Sequence, residues 1–235
     1  IRNPKHWKQL GEGWLENLDK FDILIKSPGI PPSTLATNPQ LPTTNSTQIF
    51  LDSVPPEVTV IGVTGSKGKS TTASLIHHIL KTAGKESLLL GNIGEPSIGA
   101  LKSVSSGQFV ILEMSSAQLI DCTTSPHIAV VTSFFPEHLD YHGDLENYKE
   151  AKKNIARFQN ENDTVFYFEN AKEIADISPG TKVAYTEDNS PIAVQDTKLV
   201  GTHNLVNIAG AASVARHLKI TDELITEAIR NFEGL

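Results

Sequence analysis

Residues 58–72, VTVIGVTGSKGKSTT, constrain the fold more than any other stretch. The β-branched run VTVIGV reads as a buried strand. It passes into glycines at 62, 65 and 68 and then into Lys69, Ser70 and Thr71. From Ser70 to Ala83 the apolar residues Ala73, Ile76, Ile79 and Leu80 share one helical face, and Gly84 is a C-terminal stop. Strand, glycine turn and helix in immediate succession let backbone N–H groups and a helix N-terminus converge on phosphate oxygens. The usual spacing, G-x-x-x-x-G-K-[ST], needs glycine at 63, where Val63 stands. The chain reads G-x-x-G-x-x-G-K-S-T instead. Gly65, Ser66, Lys67 and Gly68 form the turn, Lys69 can reach β- and γ-phosphates, and Ser70 or Thr71 can hold Mg²⁺. An ordinary βα turn with a surface lysine is the alternative.

The surroundings suit such a loop. Apolar runs stand at 87–91, 109–114, 127–134 and 163–168 with helix-like segments between several of them, and two helical stretches follow at 204–218 and 221–232. Strands apolar throughout predict an α/β fold, a mostly parallel sheet flanked by helices. The segment 21–32 reads as a short strand running into a Pro/Gly turn, and 31–47 as loop. The net charge of −7 argues against a nucleic-acid surface. No run of about 18 apolar residues predicts a membrane span. Cys122 is alone, which excludes an intrachain disulfide and suits a reducing cytoplasm. The chain opens on Ile1 with a helix-like stretch, stops at NFEGL, and reads as a piece of a longer protein.

Other residues could carry chemistry. Glu113 ends an apolar strand, where open α/β sheets bind ligands, and a carboxylate there suits Mg²⁺. A solvated strand-end glutamate is equally consistent. Glu137, His138, Asp140 and His142 crowd six residues after the next strand, either as metal or phosphate contacts or as a polar loop. In YKEAKKNI, 148–155, Tyr148, Ala151 and Ile155 share a helix side, and Lys152 lies near it. A semi-buried lysine loses proton affinity and can take up CO₂ as a carbamate; a snorkelling lysine is the plainer reading. Asn204 and Asn207 lie at i, i+3, able to read a purine edge, or with Asn204 as a helix N-cap.

Together these residues resemble the Mur ligases, ATP-dependent amino-acid ligases of peptidoglycan precursor synthesis. Gly62 to Thr71 match that family's loop, which explains the glycine spacing. The resemblance implies a P-loop ATPase-like central domain over 55–235. It implies that 1–54 are the end of a partial Rossmann-like domain for the uridine nucleotide, and that a C-terminal amino-acid-binding domain is absent. It casts Ser70 and Glu113 as Mg²⁺ ligands, with His138 and carbamylated Lys152 at a second metal. Asn204 and Asn207 fall on the adenine side. Lys69, His138, Lys152 and Asn92 would be catalytic, and Gly29, Asn92, Ser115 and Gln118 would line the substrate path. SPGIP (27–31), GNIGEP (91–96) and EMSSAQL (113–119) are similar to the branch that joins D-glutamate to UDP-N-acetylmuramoyl-L-alanine through an acyl phosphate. The implied protein is cytoplasmic and monomeric, needs ATP, and is inactive as this fragment alone. Related readings are the branch adding the third residue, folylpolyglutamate synthase, and a nucleotide-binding subunit that does not ligate. Three positions depart from the family pattern: Ser133 and Glu137 replace Asn and Asp, and Lys67 stands where Asn is common.

Overall fold

A strand covered by helices on both faces can be apolar along its whole length. The computed structural model, which describes residues 15–16, 18–35 and 41–235, builds its main sheet this way. Six parallel strands run in the order β4-β5-β3-β6-β7-β8. They are β3 (Thr59–Thr64), β4 (Ser87–Gly91), β5 (Phe109–Glu113), β6 (Ile128–Val131), β7 (Thr164–Phe168) and β8 (Thr181–Tyr185). Alternate residues feed two cores. Ile61, Val63, Ile111 and Val130 meet α3 (Lys69–Thr82), α9 (Asn204–His217) and α10 (Asp222–Asn231). Val60, Val110, Leu112, Ala129 and Val131 pack with buried residues of α2 (Ser46–Ser53), α4 (Ser97–Ala100), α5 (Ser116–Leu119) and α8 (Lys172–Ala175).

The strand order reverses at β3. The chain builds β4 and β5 on one side of it and then crosses to β6 on the other. A ligand crevice forms at the C-terminal strand ends of such a switch point. The loop after β3, Glu113 at the end of β5 and the segment after β6 all reach that edge. Two short helices, α6 (Leu139–His142) and α7 (Leu145–Lys153), follow β6. Asp144 caps α7 by accepting from the Asn147 amide at 2.7 Å. The helix ends at Lys153, so Ile155 is buried beyond it rather than on its face.

Several expectations about local structure need correction. Strand β8 gave no apolar signal in the sequence because, as an edge strand, it buries little beyond Tyr185. The stretch 31–47 is not all loop. It holds α1 (Pro32–Leu35), β2 (Thr43–Thr44) paired parallel to β1 (Leu24–Ile25), and the start of α2. Asn45 caps α2 through the amides of Thr47 and Gln48. Phe50 and Leu51 of α2 enter the central core, so central packing begins before the expected boundary at 54. Asn204 is not an N-cap; His203 precedes the helix, and Asn204 is its first residue. The opening helix-like stretch lies outside the described residues. Cys122 is buried, and burial pushes its thiol up to about 12. No helix among the described residues is long and apolar enough to cross a membrane.

Candidate functional site

Each glycine of the loop is fixed by what surrounds it. A Cβ on Gly62 would strike Pro126 Cγ at 2.5 Å. Gly65 has φ +151° and would drive a Cβ into Thr132 Oγ1; Gly68 has φ +85° and would meet Asn207 Oδ1 at 2.2 Å. The spacing therefore encodes close approach to three other segments, in addition to the positive φ.

The segment after β6 holds the first half of the loop. The Ser66 amide donates to Ser133 O at 2.9 Å, and the Lys67 amide to Ser133 Oγ at 2.9 Å. Ser66 Oγ donates to Phe135 O and accepts from the Phe135 amide, with Tyr148 Oη 2.9 Å away. Ser66 and Lys67 thus have no amide left for a phosphate. The amides of Gly68, Lys69, Ser70 and Thr71 donate to no protein acceptor among the described residues. They line the turn into α3, where the helix dipole favours an anion.

Lysines crowd the loop. Lys69 Nζ donates to Gly65 O at 2.9 Å and to Ser66 O at 2.8 Å. Lys152 Nζ also donates to Gly65 O, at 2.9 Å, and lies 4.8 Å from the Tyr148 ring centroid. Lys152 is 1 % exposed and has no carboxylate at ion-pair distance among the described residues. Burial, then the charge on Lys69, lowers its pKa to about 7, against the raising pull of Glu137. Burial likewise lowers Lys69, opposed by Glu113 and Glu137. The neighbouring lysines of α7 turn outward: Lys149 pairs with Glu146 and Glu173, and Lys153 with Glu150. At the mouth, Lys67 Nζ pairs with Glu137 Oε1 at 2.7 Å. Burial alone would raise the Glu137 carboxyl, but Lys67, Lys69 and His138 hold it below its ordinary value.

Glu113 is fully buried and sits in register with Val63 of β3 and Gly91 of β4. Asn92 Nδ2 donates to its Oε1 at 3.0 Å, whereas its Oε2 is buried with no partner in the protein. An orphaned carboxylate oxygen beside free loop amides suits a hard cation. His138 adopts φ +54°, and its ring packs 6.2 Å from that of Tyr148. His142 is buried, with Nε2 3.0 Å from Ser116 Oγ. Burial, helped by His138 and nearby lysines, lowers it to about 4, so it is neutral near pH 7. Among the described residues no group of three or more His, Cys, Asp or Glu side chains is arranged to hold a metal. Glu113 and His138 therefore do not make a metal centre with other carboxylate, imidazole or thiolate side chains among the described residues.

Ser115 and Gln118 form a reciprocal capping box on α5, a local structural role alongside any contact with substrate. Gly29 is exposed in the turn after β1 and does not line the loop cavity. That cavity, of about 500 Å³, is lined by Lys67, Gly68, Thr71, Phe135, Val206 and Asn207 among others. Asn207 Nδ2 donates to Asn204 Oδ1 at 2.9 Å, which fixes the Asn207 amide facing Gly68. Sequence reasoning missed Thr132, Phe135, Phe168 and His203 in this wall, and the hydroxyl role of Tyr148. The only signal for Thr132 was its position directly after a strand.

The Mur ligase middle domain matches residues 63–189, more than half the chain, including the loop, Glu113, His138 and Lys152. A UDP-N-acetylmuramoylalanine–D-glutamate ligase from Acetivibrio thermocellus is 41 % identical over 96 % of this chain and 54 % of its own length. The chain thus spans about half the length of the curated relatives it matches. Among solved structures, a UDP-N-acetylmuramate:L-alanyl-γ-D-glutamyl-meso-diaminopimelate ligase from Neisseria meningitides aligns with TM-score 0.65 at 19 % identity, covering 92 % of this chain and 80 % of that one. The MurF ligase of Thermotoga maritima in complex with ADP aligns with TM-score 0.64 at 16 % identity, covering 91 % and 63 %. At these identities the structures speak for the fold, a mostly parallel sheet with a P-loop ATPase-like centre. This chain belongs to the Mur ligase family.

Proposed function

We propose that the full-length protein is an ATP-dependent, ADP-forming ligase that adds D-glutamate to UDP-N-acetylmuramoyl-L-alanine. The observation that carries this reading is a loop with free amides at 68–71 beside two buried, uncompensated charges, Glu113 and Lys152. The preference for D-glutamate rests on the named relative. Residues 55–235, with α2, form the ATP-binding unit, and residues before them close a uridine-nucleotide domain. A domain for the incoming amino acid lies outside this chain, so the fragment alone does not ligate. The protein works in the cytoplasm as a monomer.

In this reading the amides of Gly68 to Thr71 and the Lys69 ammonium hold the β- and γ-phosphates. Asn207 reads the adenine edge from the cavity wall, held in place by Asn204 behind it, which does not itself line the cavity. Ser70 and Glu113 would hold Mg²⁺, and His138 with Lys152 as a carbamate would hold a second ion. Bound Mg²⁺ supplies charge neutralisation at the transferring phosphoryl group. The fit is good on two counts: Glu113 Oε2 has no other partner, and a Lys152 pKa near 7 leaves a neutral amine that can take up CO₂. A substrate carboxylate oxygen attacks the γ-phosphorus, the bond to the β-phosphate oxygen breaks, and ADP leaves. The D-glutamate amine then attacks the acyl carbon, losing a proton as phosphate departs. Asn92, which orients Glu113, together with Ser115 and Gln118, faces the muramoyl-peptide path, and Gly29 lies toward the diphosphate. The chain's part is alignment and fixed charge.

Phosphate release by the full-length protein should require UDP-N-acetylmuramoyl-L-alanine and D-glutamate together. Release with a dipeptide acceptor and a diamino acid, or with a folate, would reassign the substrate. ATP binding with no release under any pairing would leave a nucleotide-binding subunit.

A further inference from the structure

Within Lys67, main chain and side chain have different fates. Its amide donates to Ser133 Oγ, and its carbonyl accepts from Ser133 Oγ at 3.0 Å and Thr132 Oγ1 at 2.5 Å. The main chain is therefore fixed. The side chain is 77 % exposed, and among the described residues its one ion pair is with Glu137, itself 23 % exposed. Lys67 rims the same cavity as Gly68 and Thr71, whose amides are free. Glu137 meanwhile faces Lys67 directly and exerts a charge effect on Lys69 and Lys152. Glu137 is thus the direct counter-charge of Lys67 and, for Lys69, shares that role at longer range with Glu113. A triphosphate in the loop would take over that task with several charged oxygens. An exposed ion pair is weak, whereas an ammonium on phosphate oxygens makes a charge-assisted contact.

We propose that Lys67, paired with Glu137 in this structure, exchanges that carboxylate for the terminal phosphates when a nucleoside triphosphate binds. The proposal rests on the ATP-binding reading above. It explains how an acidic side chain can sit at a phosphate site: its charge is matched until the ligand arrives. Lys67 is then a triphosphate-sensing side chain, indifferent to the nucleoside.

The test is calorimetric titration of the full-length protein with ATP and, separately, with adenosine. Glu137→Gln frees the ammonium and removes its competitor, so ATP should bind about 3–10-fold tighter with a steeper salt dependence. The double variant K67Q/E137Q replaces a charged pair with a neutral one. It should bind ATP about 3–10-fold more weakly than wild type, while adenosine affinity and melting temperature stay unchanged. Arginine in place of Lys67, in the E137Q background, should restore ATP affinity to at least the wild-type value. If the double variant binds ATP as wild type does, the ammonium never leaves Glu137 and the exchange is overturned. A parallel loss of adenosine affinity would make the pair a structural strut and overturn it as well. Wild-type protein that binds no ATP would overturn the underlying nucleotide reading itself, an outcome distinct from both.

Discussion

Lys26 and Lys152 are both buried lysines, and they do opposite things. Lys26 lies where the small β1–β2 unit meets the segment after α5, and its ammonium pairs with Asp121 at 2.8 Å. Nearby, Asn45 Nδ2 donates to Gln118 O and Tyr141 Oη to Ile30 O, so polar groups at this junction find partners. Lys152 lies under the phosphate loop with a carbonyl, a hydroxyl and an aromatic face, but no carboxylate. A buried charge is costly unless paired. The first site meets that demand and is structural. The second leaves it unmet, and with Glu113 Oε2 it concentrates uncompensated charge at one sheet edge. Such imbalance persists where a ligand supplies the missing partner.

The largest expected contrast comes from alanine at each lysine in the full-length protein. Lys152→Ala should lower ligation by roughly 10²–10³-fold, with partial recovery in acetate and a dependence of wild-type activity on bicarbonate. Lys26→Ala should leave Asp121 unpaired and lower stability by about 3 kcal/mol, while turnover per folded molecule holds. Denaturant melts and specific activities check both. Full activity of Lys152→Ala in CO₂-depleted buffer would erase the distinction.

Glu113→Gln sharpens it. The variant keeps a partner for Asn92 but removes the charge. Magnesium should then tighten ATP binding at least ~10-fold less than in wild type. Unfolding free energy should hold or rise, since an unmatched buried carboxylate has gone. A marked loss of stability with intact magnesium response would make Glu113 structural.

A smaller effect is the pH response of stability. The Lys152 pKa is about 7 when folded and 10.5 ordinarily, so between these values the unfolded chain binds more protons and stability rises with pH. The penalty is fully present below about 7 and fades towards 10.5. Lys152→Met should flatten this rise in CO₂-free urea melts, whereas an unchanged slope would place its origin elsewhere. The smallest effect belongs to Tyr148→Phe. It keeps the ring beside Lys152 but removes the hydroxyl beside Ser66 Oγ, at a cost of about 1 kcal/mol. A several-fold higher KM for ATP at unchanged kcat would mark the Tyr148–Ser66 contact as a positioning one.

What the sequence by itself determined was local. The strand, the loop glycines, Lys69 and helix α3 were legible because every part lies within about one helix length of the next. Glu113 could be assigned to a strand end because its apolar run was unmistakable. Tertiary structure decided the rest. Strand β8 exists through its pairing with β7 and carries almost no apolar pattern of its own. Sequence periodicity put Lys152 near an apolar face, yet only the packed loop shows it buried under Gly65 without a carboxylate while Lys149 and Lys153 find partners outside. Lys67, Ser133 and Glu137 departed from the family pattern as unrelated positions. Folding brings them into contact across about 70 residues, as it brings Asn207 against Gly68. Charge compensation and close approach between distant segments depend on how the layers pack, and no local window of sequence carries that information.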